Sequence, residues 1–275
     1  MGALLLPVLV VSGECTIGVM CFGTDSRPPI APMAGAAVDG RRVKLEAADG
    51  THLAAYAADA RQPSGAGAIV LPDVRGLHPY YEELALRLAE AGIDALAIDY
   101  FGRTAGTTQR SAEFDHMPHV EQTRFETVLQ DVEAAARTLR ERRGVRALFS
   151  VGFCFGGRLA FLTTTRPDLR LSGAIGFYGS PVGAGRSGMP APAQVAAQIG
   201  TPVLGLFGGA DQGISAEHVA EFERALTSAG ADHELVTYDG APHGFFDRRA
   251  SEFADASADA WRRILEFVRR LTPPG

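Results

Sequence analysis

A cysteine set among glycines is the residue best suited to chemistry in this sequence. Cys154 lies in residues 152–157, which read Gly-Phe-Cys-Phe-Gly-Gly. Residues 145–151 have the apolar composition of a buried strand, and a predicted helix begins at residue 158. A strand that turns at once into a helix strains the residue at the turn, and the flanking glycines remove Cβ atoms that would obstruct it. The pattern is typical of a nucleophile elbow, with cysteine in place of the commoner serine.

The thiol of Cys154 would then lie over the N-terminus of the helix. The partial positive charge there favours the thiolate, which is the reactive form of cysteine. Gly157 would let the helix pack closely on the strand. Taken alone, a cysteine in an apolar segment is more often a small core residue. Its interpretation as a nucleophile therefore depends on partners elsewhere in the chain.

Two later segments supply a carboxylate and an imidazole. Asp211 follows a predicted strand and a Gly-Gly-Ala turn, and His243 follows another strand and a Gly-Ala-Pro turn. Either residue on its own is more often an ordinary turn or loop residue. Their order behind Cys154 matches a triad in which His243 activates the thiol and Asp211 orients the imidazole.

An acyl-transfer site also needs hydrogen-bond donors for the oxyanion that forms at the attacked carbonyl. The first predicted donor is the backbone N–H of Phe155, directly after the nucleophile. The second should come from the loop after an earlier strand, residues 71–76, and we assign it to the N–H of Val74.

Strands that alternate with helices must position these groups. The alternation predicts an α/β fold with a mostly parallel central sheet and helices on both faces. Sites on such sheets lie beyond the C-terminal ends of the strands. Four polar residues follow predicted strands directly, namely Asp73, Cys154, Asp211 and His243. A helix is predicted over residues 120–142, and a loop rich in Gly, Pro and Ala over residues 179–198 should cover the site.

Size and composition limit the classes of protein. The 275 residues suffice for one large α/β domain, which we place at residues 34–275. The net charge of −6, without a basic block, argues against nucleic acid as a partner. Three cysteines provide no disulfide framework, which favours a reduced, cytoplasmic location.

Residues 1–33 differ from the rest of the chain. The apolar run over residues 1–11 contains a proline and has no basic residue before it, unlike a secretory signal. It is also shorter than the roughly 20 apolar residues of a spanning helix. We predict a disordered N-terminal extension, with Met33 as a more natural start of the folded chain.

The motifs around Cys154, Asp211 and His243 resemble those of the dienelactone hydrolases, also called carboxymethylenebutenolidases. The similarity runs from about Val43 to Leu271. It implies an α/β-hydrolase fold and hydrolysis of an ester or lactone through a cysteinyl acyl-enzyme, without metal or cofactor. Metal binding by His116 and His119 is accordingly not expected, since both lie in a predicted loop without a cysteine partner nearby.

The resemblance also suggests roles for residues outside the triad. Asp73 occupies the place of a family glutamate that helps to switch the thiol to thiolate. Arg103 matches an arginine that pairs with the substrate carboxylate. A second such arginine is replaced by Asp247, which would repel a carboxylate, and Arg248 follows it. Tyr80 would line the mouth of the pocket or pack the first helix.

The sequence therefore predicts a hydrolase of a small ester or lactone that acts alone or as a small homo-oligomer, without nucleic acid or membrane. One alternative is a hydrolase of the same fold that acts on a neutral ester, which Asp247 would favour. A thiol redox or sensor protein using Cys154 is another, and a non-catalytic binding protein that keeps the fold is a third.

Overall fold

A single sheet of eight strands runs through the computed structural model, which describes residues 25–34, 36, 38–111 and 113–275. In chain order the strands are β1 Val38–Glu46, β2 His52–Ala60, β3 Ala66–Leu71, β4 Ile93–Ile98, β5 Ala147–Phe153, β6 Gly173–Phe177, β7 Val203–Gly208 and β8 His233–Tyr238. Across the sheet their order is β1-β2-β4-β3-β5-β6-β7-β8. The β1–β2 and β2–β4 pairs are antiparallel and the other pairs are parallel.

Helices connect the parallel strands, as the sequence predicts. They are α1 Pro79–Glu90, α2 Gly102–Ala105, α3 Met117–Gln122, α4 Phe125–Arg143, α5 Phe155–Thr163, α6 Ala216–Ala229 and α7 Ala254–Leu271. Short 3₁₀ turns lie at 167–169, 186–188, 192–198 and 251–253. This mostly parallel sheet with helices around it is the α/β-hydrolase fold.

Both faces of the sheet are covered. Every residue of β3 is buried, and successive side chains enter different core clusters. Val70 packs in a cluster with Leu84 of α1, while Ile69 packs in another with Val132 of α4. Because side chains alternate along a strand, an apolar run of this kind is stable only with a helix layer on each side. Each aliphatic side chain so buried contributes about 1.5–3 kcal/mol.

The predicted helix over residues 120–142 is wrong at its start. Two helices, α3 and α4, occupy this stretch, and Thr123 between them is extended, with φ −61° and ψ 144°. The Thr123 hydroxyl donates to the carbonyl of His119 at 2.8 Å. The N–H of Thr123 donates to the same carbonyl at 3.0 Å, and the extended backbone of Thr123 then ends α3 without glycine or proline at that position.

The folded chain begins before the predicted boundary at residue 34. Ser26 is 1% exposed, and its hydroxyl donates to a carboxylate oxygen of Asp247 at 2.8 Å. The carbonyl of Arg27 accepts from the N–H of Arg248 at 2.9 Å. The end of the predicted extension is thus bonded to the loop after β8, while residues 1–24 lie outside the described residues.

None of the helices that the structure describes combines the length and the apolar character needed to cross a bilayer.

Candidate active site

The turn between β5 and α5 has the geometry expected of a nucleophile elbow. Cys154 has φ 55° and ψ −112°, a strained conformation for a residue other than glycine. A Cβ at Gly152 would lie 1.9 Å from the carbonyl oxygen of Gly156, and one at Gly156 would lie 2.1 Å from that of Leu71. A Cβ at Gly157 would lie 2.3 Å from the carbonyl oxygen of Phe177 on β6. The glycines are therefore required by close backbone contacts, as the sequence suggests.

Asp211 and His243 meet at the same edge of the sheet. Oδ1 of Asp211 accepts from the backbone N–H groups of Gly213 and Ile214, at 2.8 and 3.1 Å. Its other oxygen, Oδ2, accepts from Nδ1 of His243 at 2.7 Å. Since a carboxylate can only accept, this bond fixes the imidazole tautomer and leaves the opposite nitrogen for a reacting partner.

The imidazole of His243 also interacts electrostatically with the side chain of Cys154. Burial alone would lower the pKa of His243, but the interactions with Asp211 and Cys154 raise it to about 10. The imidazolium is therefore favoured near neutral pH, and it stabilises an adjacent thiolate. The Tyr178 ring lies 4.7 Å from the imidazole ring, measured between centroids, and fixes its other side.

The backbone around Val74 is held in place from two sides. The Tyr100 hydroxyl donates to the carbonyl of Asp73 at 2.8 Å, and the Tyr81 hydroxyl accepts from the N–H of Asp73 at 2.9 Å. Within the described chain no acceptor takes the N–H of Val74. Val74 and Phe155 both line the cavity beside Cys154. Two backbone donors next to a nucleophile are the arrangement that an oxyanion requires.

A cavity of about 250 Å³ opens over Cys154 and His243. Part of its lining comes from the loop after β6 and consists of Ser180, Ala184, Gly185, Arg186 and Met189. The glycine-rich loop predicted to cover the site therefore does line it. Most of the lining is apolar, which suits a small organic substrate held by a few polar groups.

Asp73 does not reach the cavity. Its carboxylate is 1% exposed and accepts from Arg75 at 2.7 Å, with His78 3.5 Å away. Burial would raise the pKa of Asp73, but His78 and Arg75 outweigh it and hold the pKa well below its usual range. The carboxylate is a fixed anion in a local cluster.

The structure does not bring the other expected substrate-binding residues to the cavity. Arg103 pairs with Asp131 at 2.9 Å and also with Asp49. Arg248 is exposed, with its nearest carboxylate, that of Glu83, 3.9 Å away. Tyr80 is 1% exposed and donates to a backbone carbonyl, so it packs the first helix.

Asp247 does not face a substrate either. It is 5% exposed, and its carboxylate accepts from Ser26 at 2.8 Å and from Arg249 at 3.2 Å. The expected repulsion of a substrate carboxylate by Asp247 is thus wrong, because the charge is already neutralised inside the fold.

Sequence reasoning missed two arginines that line the cavity, Arg158 and Arg186. Arg158 follows Cys154 by four residues, one helical turn, and that spacing was the signal that could have found it. Arg186 lies in the predicted covering loop, where no pattern distinguishes one residue from another. Among the described residues, no group of acidic, histidine or cysteine side chains is arranged to hold a metal ion.

Fold and site together define a hydrolase with the nucleophile elbow of the α/β-hydrolases. The chain belongs to the dienelactone hydrolase family, whose model matches residues 53–272. Members of this family are lactone and ester hydrolases.

Curated relatives and a solved structure agree with this assignment. A Yersinia pestis protein named "Putative carboxymethylenebutenolidase" is 33% identical over 225 residues, 79% of this chain and 84% of that protein. A Bradyrhizobium protein named "Probable 2-oxo-3-(5-oxofuran-2-ylidene)propanoate lactonase" is 33% identical over 73% of this chain and 82% of its own. The crystal structure of a Klebsiella pneumoniae protein named "Putative Dienelactone Hydrolase" has a TM-score of 0.74 and 30% identity, and the match covers 85% of this chain and 99% of that one.

Proposed function

We propose that this protein hydrolyses a small ester or lactone through a covalent acyl-enzyme on Cys154. The observation that carries the proposal is the Asp211–His243–Cys154 chain of contacts at a strained elbow, open to a cavity. An imidazolium beside a thiolate is an activated nucleophile that needs no metal or cofactor.

The thiolate of Cys154 attacks the substrate carbonyl, forming a carbon–sulfur bond and an oxyanion. The N–H groups of Val74 and Phe155 stabilise that charge. As the tetrahedral intermediate collapses, the carbon–oxygen bond breaks and His243 gives its proton to the leaving oxygen. A water molecule then attacks the thioester, His243 takes its proton, and the thiolate leaves. Asp211 keeps the imidazole in the required tautomer throughout.

The cavity supports two substrate classes. A lactone that carries a carboxylate is supported by Arg186, a cation on the cavity wall without an ion pair among the described residues. The name of the Bradyrhizobium relative describes such a molecule, with a furanone ring and a propanoate group. A neutral ester is the second candidate, favoured by the positions of Arg103 and Arg248 away from the cavity.

The test is steady-state hydrolysis of a dienelactone and of a neutral short-chain aryl ester by the wild type, Cys154→Ser and Cys154→Ala. We expect Cys154→Ala to lose activity on both substrates, and mass spectrometry of the quenched wild type to show an acyl group on the peptide that contains Cys154. Cys21→Ser is the matched control and should retain full activity. Full activity of Cys154→Ala would refute the mechanism and favour a binding protein or a thiol sensor.

The ratio of kcat/KM values for the two substrates identifies the class. A much larger value for the dienelactone supports recognition of the carboxylate, whereas turnover of the aryl ester alone supports the neutral class. The cytoplasmic location and the monomeric or small oligomeric state stay predictions.

A further inference from the structure

Arg158 is a buried cation one helical turn after the nucleophile. Its backbone N–H donates to the carbonyl of Cys154 at 3.1 Å, within the first turn of α5. Its side chain is 5% exposed and contributes to the cavity wall. No step of the proposed mechanism uses this group.

The guanidinium of Arg158 joins the two arms of the cavity loop, defined as residues 179–190. On the first arm it donates to the carbonyls of Val182 at 3.1 Å and Gly183 at 2.8 Å. On the second arm it donates to the carbonyls of Met189 at 3.4 Å and Pro190 at 2.7 Å. One planar fork thus closes the base of the loop, which a single-point ammonium could not do as completely.

No carboxylate compensates this charge. Arg158 forms no ion pair within the described chain, and all its acceptors are backbone carbonyls. Burial lowers the pKa of Arg158 to about 10, so the side chain is still a cation at neutral pH. Burying a charge without an opposite charge is unfavourable, and a hydrophobic residue of similar volume would fill the same space at lower cost. Its contribution must therefore come from what it holds.

The cavity loop is also held by the buried side chain of Met189 and by the N–H of Ala193, which donates to the carbonyl of Pro181 at 3.0 Å. Gly183 and Gly188 have positive φ, and Ser187 at the tip has φ 60° and donates to the carbonyl of Val120 at 3.1 Å. A Cβ at Gly185 would lie 2.9 Å from Nε of Arg158, so the loop is folded tightly against the guanidinium. This glycine-rich segment lines the cavity together with Cys154.

We infer that Arg158 is a positioning residue that sets the shape of the cavity loop, and with it the selectivity of the enzyme for the substrate group remote from the reacting carbonyl. The inference rests on the proposed function for its catalytic consequence. Its structural part, that Arg158 closes the loop, stands independently. Because Arg158 acts through the loop, it should affect substrate binding more than the reactivity of the thiol.

The test compares Arg158→Met and Arg158→Lys with the matched control Arg140→Met. Arg140 likewise donates to two loop carbonyls, those of Leu169 and Arg170, at 2.6 and 3.0 Å, and burial lowers its pKa too. Arg140 is not part of the cavity wall. A loss of packing alone would therefore affect both arginines similarly.

The first measurement is limited digestion with trypsin, whose cut after Arg186 reports opening of the cavity loop. We expect this cut to be about tenfold faster or more in Arg158→Met, since hydrogen bonds from a charged donor are lost. Arg140→Met should be cut like the wild type, and Arg158→Lys should fall between. An unchanged rate in Arg158→Met overturns the inference, whether or not the protein hydrolyses any ester tested.

The second measurement is hydrolysis of aryl acetate and aryl hexanoate, with the rate of alkylation of Cys154 by iodoacetamide. In Arg158→Met we expect the preference between the two esters to weaken and kcat/KM for the better one to fall about 10- to 100-fold, mainly through KM. The alkylation rate should change less than about threefold. Addition of millimolar guanidinium to Arg158→Ala should restore part of the preference. Equal losses on both esters, together with slower alkylation, would show that Arg158 acts on the thiol or on folding in general and would refute the inference.

Discussion

The arginines in the segment after β4 and those at the cavity loop have opposite environments. After β4, two arginines meet buried acids: Arg103 meets Asp131, and Arg110 meets Asp99 at 2.8 Å. At the cavity loop, Arg158 and Arg186 meet no acid within the described chain. Charges that are neutralised locally stabilise a loop, whereas the uncompensated ones can shape a wall or contact a ligand. The absence of an acidic partner is therefore a better criterion for a substrate-binding arginine than its position along the chain.

The largest expected difference is between His243 and Asp73. His243→Ala should lower kcat/KM by about 10²–10⁴-fold, because proton transfer to the leaving group is lost. Asp73→Asn should cost less than about tenfold, since its carboxylate is paired with Arg75. Steady-state hydrolysis of an aryl ester measures both. An equal loss in both variants would place the early loop in the catalytic machinery and remove the contrast.

The same histidine should control the pH dependence of the thiol. Because the pKa of His243 is raised to about 10, we expect the imidazolium to keep Cys154 as thiolate below the pKa of about 8.5 that a free cysteine has. Iodoacetamide should therefore alkylate Cys154 rapidly at pH 6–7 in the wild type but only above about pH 8 in His243→Ala. A background in which Cys15 and Cys21 are serine isolates the signal. Identical profiles in the two proteins would contradict the ion pair.

A smaller difference is expected between the effects of Arg186 and Arg103 substitutions on KM. If the substrate carries a carboxylate, Arg186→Met should raise KM for the dienelactone about tenfold, the equivalent of one charge-assisted hydrogen bond. KM for a neutral aryl ester should not change. Arg103→Met should instead lower the melting temperature and leave both KM values alone. The opposite result, a KM effect confined to Arg103→Met, would return the substrate site to the early loop.

Asp131 should make the early loops sensitive to pH. Burial raises its pKa from 3.8 to about 7, against the opposing charge of Arg103 and together with the nearby acids Asp49 and Asp99. A carboxyl with a raised pKa contributes stability that is present below pH 4 and is lost as the pH rises through 7. Chemical denaturation at pH 5 and pH 8 should show this loss in the wild type and a smaller one in Asp131→Asn. An equal loss of stability between pH 5 and pH 8 in the two proteins would contradict the raised pKa of Asp131.

The smallest effect concerns Ser26. Its hydroxyl supplies one of several donors to Asp247, so Ser26→Ala should lower stability by about 1 kcal/mol and the melting temperature by about 2–4 °C. Thr127→Ala, which removes an exposed hydroxyl bond within α4, serves as the control and should shift it less. A melting temperature equal to that of the wild type would mean that the segment before β1 adds nothing to the loop after β8.

The elbow and its partners could be predicted because their signals are local. Glycines at fixed offsets from Cys154 are required because close backbone contacts there leave no room for a side chain. Turns directly after strands place Asp211 and His243 at one edge of the sheet. The roles of Arg103 and Asp247 could not be read this way. Their partners lie far along the chain: Arg103 pairs with Asp131, 28 positions away, and Asp247 accepts from the hydroxyl of Ser26, 221 positions away. The break at Thr123 was hidden because residues 122–124 contain neither glycine nor proline.

The crowding around the elbow has a consequence for how this scaffold can change. Gly152, Gly156 and Gly157 cannot acquire even a methyl group without meeting backbone, yet the side chain of Cys154 projects into open space at the same turn. The backbone of the turn should therefore keep its conformation with either cysteine or serine at position 154. Exchange of sulfur for oxygen in Cys154→Ser would replace one atom on an unaltered frame, so it should change the reactivity of this position and leave the fold intact.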